Sequence, residues 1–259
     1  MTFEQVTFSD LRKIISDSPP WNDLLAEGTL DSAASGTAVD ADEFTYTSDD
    51  ALNGAWIYLN GGVGAGQERY ISDFTASSDS ASVVPNWTTT PGATSTYEVH
   101  RKARVAQYNR AIKRGLRADR NFHQVRAMDS SLLGVERQRE YALPGNFAHL
   151  HSIQYIRESD YDVSAVTMDP WDWEALPNGM IRFKYPIPIN AQIRFHGMKF
   201  PDIPDEDDDI LQVNVELITL YALSVLDTTN HTERYMEYIR FRDDLNLTMP
   251  ENSVPVSVY

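Results

Sequence analysis

His149 and His151 stand two apart in the run Ala148-His149-Leu150-His151-Ser152-Ile153, which alternates apolar and polar positions. Side chains repeat every two residues along a strand, so the two imidazoles are expected on one face, the geometry of a metal pair. No third ligand stands at a recognisable spacing, and they read as polar-face histidines. Six acids lie between Asp202 and Asp209. A calcium loop needs alternating ligands around a central glycine and a distal glutamate, and Asp205-Glu206-Asp207-Asp208-Asp209 lacks the glycine. Acids ahead of an apolar run are instead expected to open a helix, whose free N–H groups and positive end favour them. Gly61-Gly62-Val63-Gly64-Ala65-Gly66 invites comparison with a phosphate-binding loop, but no Lys-Ser/Thr follows and the next segment is strand-like. A hairpin loop that needs positive φ is the expectation. The chain has no nucleophile elbow, HExxH, Walker loop or kinase signature, and its 38 acids permit carboxylate pairings without fixing any. No catalytic residue, cofactor or metal is expected, and the chain reads as a non-enzyme.

One charged pattern stands out. Residues 101 to 126, RKARVAQYNRAIKRGLRADRNFHQVR, carry nine Arg or Lys against the single acid Asp119, a charge of +8. The whole chain is −16, so the remainder is −24. At roughly 100° per residue, Val105, Tyr108, Ile112 and Leu116 fall in one arc while Arg110, Lys113, Arg114, Arg117 and Arg120 crowd the next. This predicts an amphipathic helix with a cationic flank. Such a face is either simply solvated or meets an acidic surface, in the chain or on a neighbour. Nucleic acid ranks last, because a −16 molecule repels phosphate almost everywhere else.

The elements that hold this helix follow from composition. With 259 residues, 42% hydrophobic, the chain can fill substantial cores. Having no cysteine, it must rely on packing rather than disulfides. The start MTFEQVTFSDLRKII lacks an apolar signal core, and no window approaches a membrane span, so a soluble protein made in the cytoplasm is expected. Phe3, Val6, Leu11, Ile14 and Ile15 have helical spacing, with Ser9 as N-cap and Pro19-Pro20 as stop, giving a helical segment over 1–35. Short β-branched and aromatic runs at Phe44–Thr47, Ala55–Leu59, Arg69–Phe74, Ala81–Val84 and Tyr97–His100 alternate with turn signals. They predict a β-rich insertion module over 36–100, a small sandwich or barrel. The basic helix spans 101–126, and a second β-rich module spans 127–204. Ile210–Leu226 is apolar around most of a helical circumference, and Thr228–Asn230 breaks it from a second helix near Thr232–Leu245. Together they form a C-terminal helical hairpin over 205–247. Residues 248–259 hold two prolines and alternate Val with Ser, as in an extended arm with Val254, Pro255, Val256, Val258 and Tyr259 as docking residues. The predicted fold class is α+β, a helical bundle body with inserted small antiparallel β-modules.

Two segment groups carry a family resemblance. Gln67-Glu68-Arg69-Tyr70-Ile71-Ser72-Asp73-Phe74, Val83-Val84-Pro85-Asn86-Trp87, Pro91 and Tyr97-Glu98-Val99-His100-Arg101 resemble a small β-module of tailed-phage virion proteins. Arg139-Glu140-Tyr141-Ala142-Leu143-Pro144 followed by Ile153-Gln154-Tyr155-Ile156 is similar to a segment of bacteriophage head-to-tail connector (adaptor) proteins. The likeness covers about residues 60 to 225 and rests on strand-and-turn patterns. It implies a structural virion protein at the neck, in a homo-oligomeric ring, typically of twelve, beneath the portal protein. Such a ring extends the DNA channel to the tail or neck protein, and genomic DNA passes through without specific binding. It also implies a C-terminal arm inserted into the portal. The large β insertion before the central helix departs from the smaller helical adaptors. A ring needs heterologous contacts, and the cationic stripe with Arg110, Lys113, Arg114, Arg117 and Arg120 is expected at a subunit or portal interface, away from the lumen.

Two other classes compete. A virion decoration or receptor-binding protein would use Trp56, Trp87, Trp171 and Trp173 against carbohydrate or capsid. A polysaccharide-degrading enzyme would need a pair of carboxylates that the sequence does not single out.

Overall fold

The computed structural model describes residues 4–145, 147–159, 162–246 and 254–255. In chain order, β1 (Glu4–Thr7) leads into α1 (Phe8–Asp17). Seven strands follow: β2 (Leu24–Thr29), β3 (Ser32–Ala34), β4 (Thr37–Val39), β5 (Trp56–Gly61), β6 (Glu68–Thr75), β7 (Ser80–Val84) and β8 (Thr96–His100). Helix α2 (Val105–Ala118) comes next, and then β9 (Val125–Leu133), β10 (Glu140–Ala142), β11 (Phe147–Ser159), β12 (Asp162–Thr167), β13 (Trp173–Leu176), β14 (Met180–Phe183) and β15 (Gln192–Lys199). The chain continues through β16 (Ile210–Val213), α3 (Val215–Leu226), α4 (His231–Asn246) and the short β17 (Val254–Pro255).

The first sheet has the order β2-β8-β5-β6-β7-β4-β3, with every pairing antiparallel. Its two outermost strands, β2 and β3, are consecutive in the chain and only Leu30 and Asp31 separate them, so the sheet must roll back on itself. Alternation puts Ile57, Leu59, Ile71, Phe74, Ala81, Val83, Tyr97 and Val99 inside the roll, where Phe44 from the β4–β5 loop packs edge-on against Phe74 and Tyr97. The glycine loop joins β5 to β6, with Gly62, Gly64 and Gly66 at φ of 75°, 84° and 86°, the hairpin expected of it.

The second β region is two antiparallel sheets, β12-β11-β15-β9 and β10-β14-β13, with one core between them. Phe147, Leu150, Ile153, Ile193 and Phe195 from the first meet Tyr141, Ile181 and Phe183 from the second. The helices pack through Phe8, Leu11 and Ile15 of α1, Tyr108, Ile112 and Leu116 of α2, and Ile218, Ala222 and Leu223 of α3. Gly115 lets α2 and α3 close up, since a Cβ there would stand 2.9 Å from Tyr221 Cδ1. Among the described residues, no helix is long and apolar enough to cross a membrane.

The expected helical bundle body is therefore wrong: the chain is mostly antiparallel β, with only four α-helices among the described residues. Two short runs misled the periodicity. Glu4–Thr7 pairs with Ile210–Val213 in a two-stranded sheet, and each run is too short to show which period it follows. As a result α1 starts at Phe8, capped by Thr7, whose Oγ1 accepts from Asp10 N at 3.1 Å, rather than by Ser9. Helix α3 likewise starts at Val215, and Asn214 Oδ1 caps it by accepting from Leu217 N at 2.9 Å. The acids of 202–209 precede β16, not a helix. Two of them instead receive α1 through their backbone carbonyls, Phe8 N donating to Asp209 O at 2.9 Å and Ser9 N to Asp207 O at 3.0 Å. The first sheet begins at Leu24, not Gly36, and Phe44–Thr47 is a loop. Strand β9 takes up the end of the basic run. Phe3 lies outside the described residues.

Candidate functional site

Helix α2 is the platform on which the cationic residues stand, and three polar groups beneath it fix its position. At its start, Glu68 of β6 acts as an anionic cap: Oε1 accepts from Val105 N at 2.7 Å and Oε2 from Arg104 Nε at 2.6 Å. A carboxylate at a helix N-terminus is favourable for both the free N–H groups and the helix dipole. Just before the helix, the fully buried Asp23 gathers three consecutive backbone donors. Its Oδ1 accepts from Arg101 N at 2.8 Å and from Lys102 N, while Oδ2 accepts from Ala103 N at 3.0 Å and from Tyr108 OH at 2.7 Å. Burial, and then the Asp23 charge, hold the Tyr108 hydroxyl well above the usual tyrosine range, so it stays a donor.

The third anchor is Arg12 on α1. Its Nε donates to Glu98 Oε1 at 2.9 Å, and Nη1 donates to Asn109 Oδ1 at 2.9 Å and Asp207 Oδ1 at 2.8 Å. Tyr58 OH donates to Asp207 Oδ2 at 2.7 Å, and His100 Nε2 lies 3.1 Å from Glu98 Oε2. One guanidinium thus ties α1, the first sheet, α2 and the acidic loop together. Burial opposes its charge, but Glu98 and Asp207 outweigh burial and raise its pKa. Burial likewise pushes the Glu98 carboxyl up, and His100 and Arg12 more than reverse this, leaving it below the usual carboxylate range.

On this platform the apolar arc is buried and the cations face out. Arg110, Arg114, Arg117 and Arg120 are exposed. Lys113 is half-buried, 3.1 Å from Asp205 and above the Phe8 ring. Arg120 lies 4.6 Å over the Phe200 ring. Arg110, Arg114 and Arg117 form no ion pair with any described residue. They run between two clefts. One, of about 190 Å³, is flanked by Arg110, Arg114 and Val225, and the other, of about 300 Å³, by Arg117, Arg120 and Phe147. The structure therefore places Arg110, Lys113, Arg114 and Arg117 on α2 and Arg120 in the turn just past its end, with Lys113 and Arg120 engaged within the chain and the other three not.

The other predicted sites resolve differently. Val254 and Pro255 of the arm pair antiparallel with Leu150 and His149 of β11, so this part of the arm lies on a sheet edge of its own chain. Val256, Val258 and Tyr259 lie outside the described residues. His149 and His151 do not form a pair: the β11–β15 register shifts between Leu150 and Ser152, which breaks the alternation, and His151 is exposed while His149 is half-buried. No group of three or more His, Asp or Glu among the described residues could hold a metal ion. Of the four tryptophans considered for carbohydrate, Trp87 is buried and donates to Thr37 O, and Trp56 is covered by Arg104 and Tyr70. Trp171 is 88% exposed.

Arg12, Glu98 and Asp23 escaped the sequence reading. For Arg12 a signal existed: Phe8, Leu11, Arg12 and Ile15 share one helical face, so this arginine had to be buried and paired. No known family's sequence profile matches the chain, and no curated protein matches it.

Proposed function

We propose that this chain is a structural subunit of a tailed-phage virion, a head-to-tail adaptor that assembles as a ring beneath the portal and extends the DNA channel. The observation that carries the reading is the α2 face, where Arg110, Arg114 and Arg117 are exposed on a rigidly anchored helix without an anionic partner among the described residues. A net −16 chain that keeps three arginines unpaired in a row has a surface suited to another protein rather than to DNA. An exposed apolar group of Leu133, Val135, Tyr185 and Ile189 at one end of the second β region also suits protein contact. The test is co-sedimentation with the cognate portal at about 150 mM salt, near the ionic strength where exposed charges are screened beyond about 8 Å. The wild type is expected to bind, and the Arg110→Glu, Arg114→Glu, Arg117→Glu variant to bind at least about tenfold more weakly with its fold intact. Portal binding absent in the wild type would reject the reading.

A second reading rests on one groove. Trp171, Trp173, Asp172, Glu174, Arg182 and Lys184 line a space of about 240 Å³, the aromatic-plus-polar lining that suits a sugar in a decoration or receptor-binding protein. Glycan-array binding that is lost in Trp171→Ala, with no portal affinity, would favour it.

A further inference from the structure

The charge of this molecule is segregated along its length. Leu24–His100, the rolled sheet, holds eleven acids and one cation, Arg69, for a net −10. Arg69 is used internally, donating to Asn86 O and Thr88 Oγ1 and lying over the Trp87 ring. Glu68, at the start of β6, serves α2 in its own chain. At the far end of β6, the backbone gathers an acidic rim: Asp40 N donates to Asp79 O, Asp50 N to Phe74 O, and Ala76 N to Asp49 Oδ1. Asp49, Asp50 and Asp73 are exposed there, and none forms an ion pair with a described residue. Within one chain Arg110, Arg114 and Arg117 form no ion pair with these rim acids, and the cation that reaches the rim loop is Arg101, whose guanidinium donates to Ala51 O.

We infer that the acidic rim of the rolled sheet in one copy covers the Arg110–Arg114–Arg117 face of α2 in the next. Both surfaces belong to each copy and differ from one another, so the contact is head-to-tail, the heterologous type that closes into a ring or runs on as a filament. The inference names the occupant of the α2 face and rests on the reading of the chain as a self-assembling subunit.

Sedimentation velocity of the full chain, with about 50 mM and about 500 mM salt, tests it, because such a contact weakens as screening grows. The wild type is expected to associate at low salt and dissociate at high salt. A helix variant (R110E/R114E/R117E) and a rim variant (D49K/D50K/D73K) are each expected to raise the dissociation constant at least about tenfold. An equimolar mixture of the two is expected to associate again, since the reversed helix of one then meets the reversed rim of the other. Unfolding midpoints equal to the wild type's confirm that each variant is folded. If the helix variant dissociates while the rim variant assembles normally, the occupant is another anionic surface and the inference fails, although the adaptor reading stands. A wild-type chain that stays monomeric at low salt up to about 1 mM, the millimolar limit of weak association, also overturns it. The adaptor reading is then judged by portal binding alone.

Discussion

Arg12 and Glu98 form an ion pair in which neither side chain reaches solvent, with Arg12 Nε donating to Glu98 Oε1 at 2.9 Å. The pair joins α1 to β8, and β8 runs directly into the turn that starts α2. Truncating Arg12 leaves the Glu98 carboxylate buried without its main counter-charge. Arg12→Ala is therefore expected to lose about 3–5 kcal/mol in urea unfolding. The double variant Arg12→Met with Glu98→Leu is expected to lose less than the two single changes combined, because neither buried charge then stands alone.

Acid should loosen the α2–α3 junction. His123 is buried, which lowers its pKa to about 4, and its Nδ1 accepts from Asn214 N at 3.3 Å beside the α3 cap. The unfolded chain protonates this ring near pH 6.5, so between about 6.5 and 4 the unfolded state binds the extra proton. Stability is then full above about pH 6.5 and falls as pH drops toward 4, by about 3 kcal/mol over the window. Glu98, whose pKa is lowered, acts in the same direction at still lower pH, because the stability from its charge is lost as it protonates. Denaturant midpoints between pH 4 and 7.5 should show this slope, and His123→Gln should flatten it above pH 5.

Gly115→Ala tests the close approach of α2 and α3. The added methyl would meet Tyr221 Cδ1 at 2.9 Å and Ile218 Cδ1 at 3.4 Å. Alanine favours helix over glycine by about 1 kcal/mol, so a clash-free site would be stabilised. A net loss of about 1–2 kcal/mol in thermal unfolding is expected instead, because the tyrosine ring must shift.

Trp171 offers the opposite case. At 88% exposure it contributes little to the core, so Trp171→Ser should change unfolding by less than about 0.5 kcal/mol. Under the adaptor reading that variant keeps portal binding, and a loss of glycan binding instead would favour the decoration reading.

What could be read from the sequence divides by length of signal. The arc of Val105, Tyr108, Ile112 and Leu116 over about three turns fixed α2 and the outward side of its cations. The hairpin loop of Gly61–Gly66, and the break at Thr228–Asn230 between α3 and α4, were also legible, because glycine and helix-breaking residues act locally. Segments of four residues were not. Ile210–Val213 merged into the apolar run of α3, and only its partner Glu4–Thr7, some two hundred residues away, makes it a strand. Separation along the chain likewise hides Asp207 from Arg12 and Asp23 from Arg101–Ala103, since a buried network is defined by what folds against it. The helical bundle failed for this reason: each helix segment was found, but the strands beside them were absorbed into helices or loops.

The most direct test of the central claim is negative-stain electron microscopy of the full chain mixed with the portal protein of the proposed adaptor assembly. The account predicts a closed ring of this protein stacked on the portal, lost in the Arg110→Glu, Arg114→Glu, Arg117→Glu variant. Bare portal rings beside dispersed wild-type monomers would contradict it.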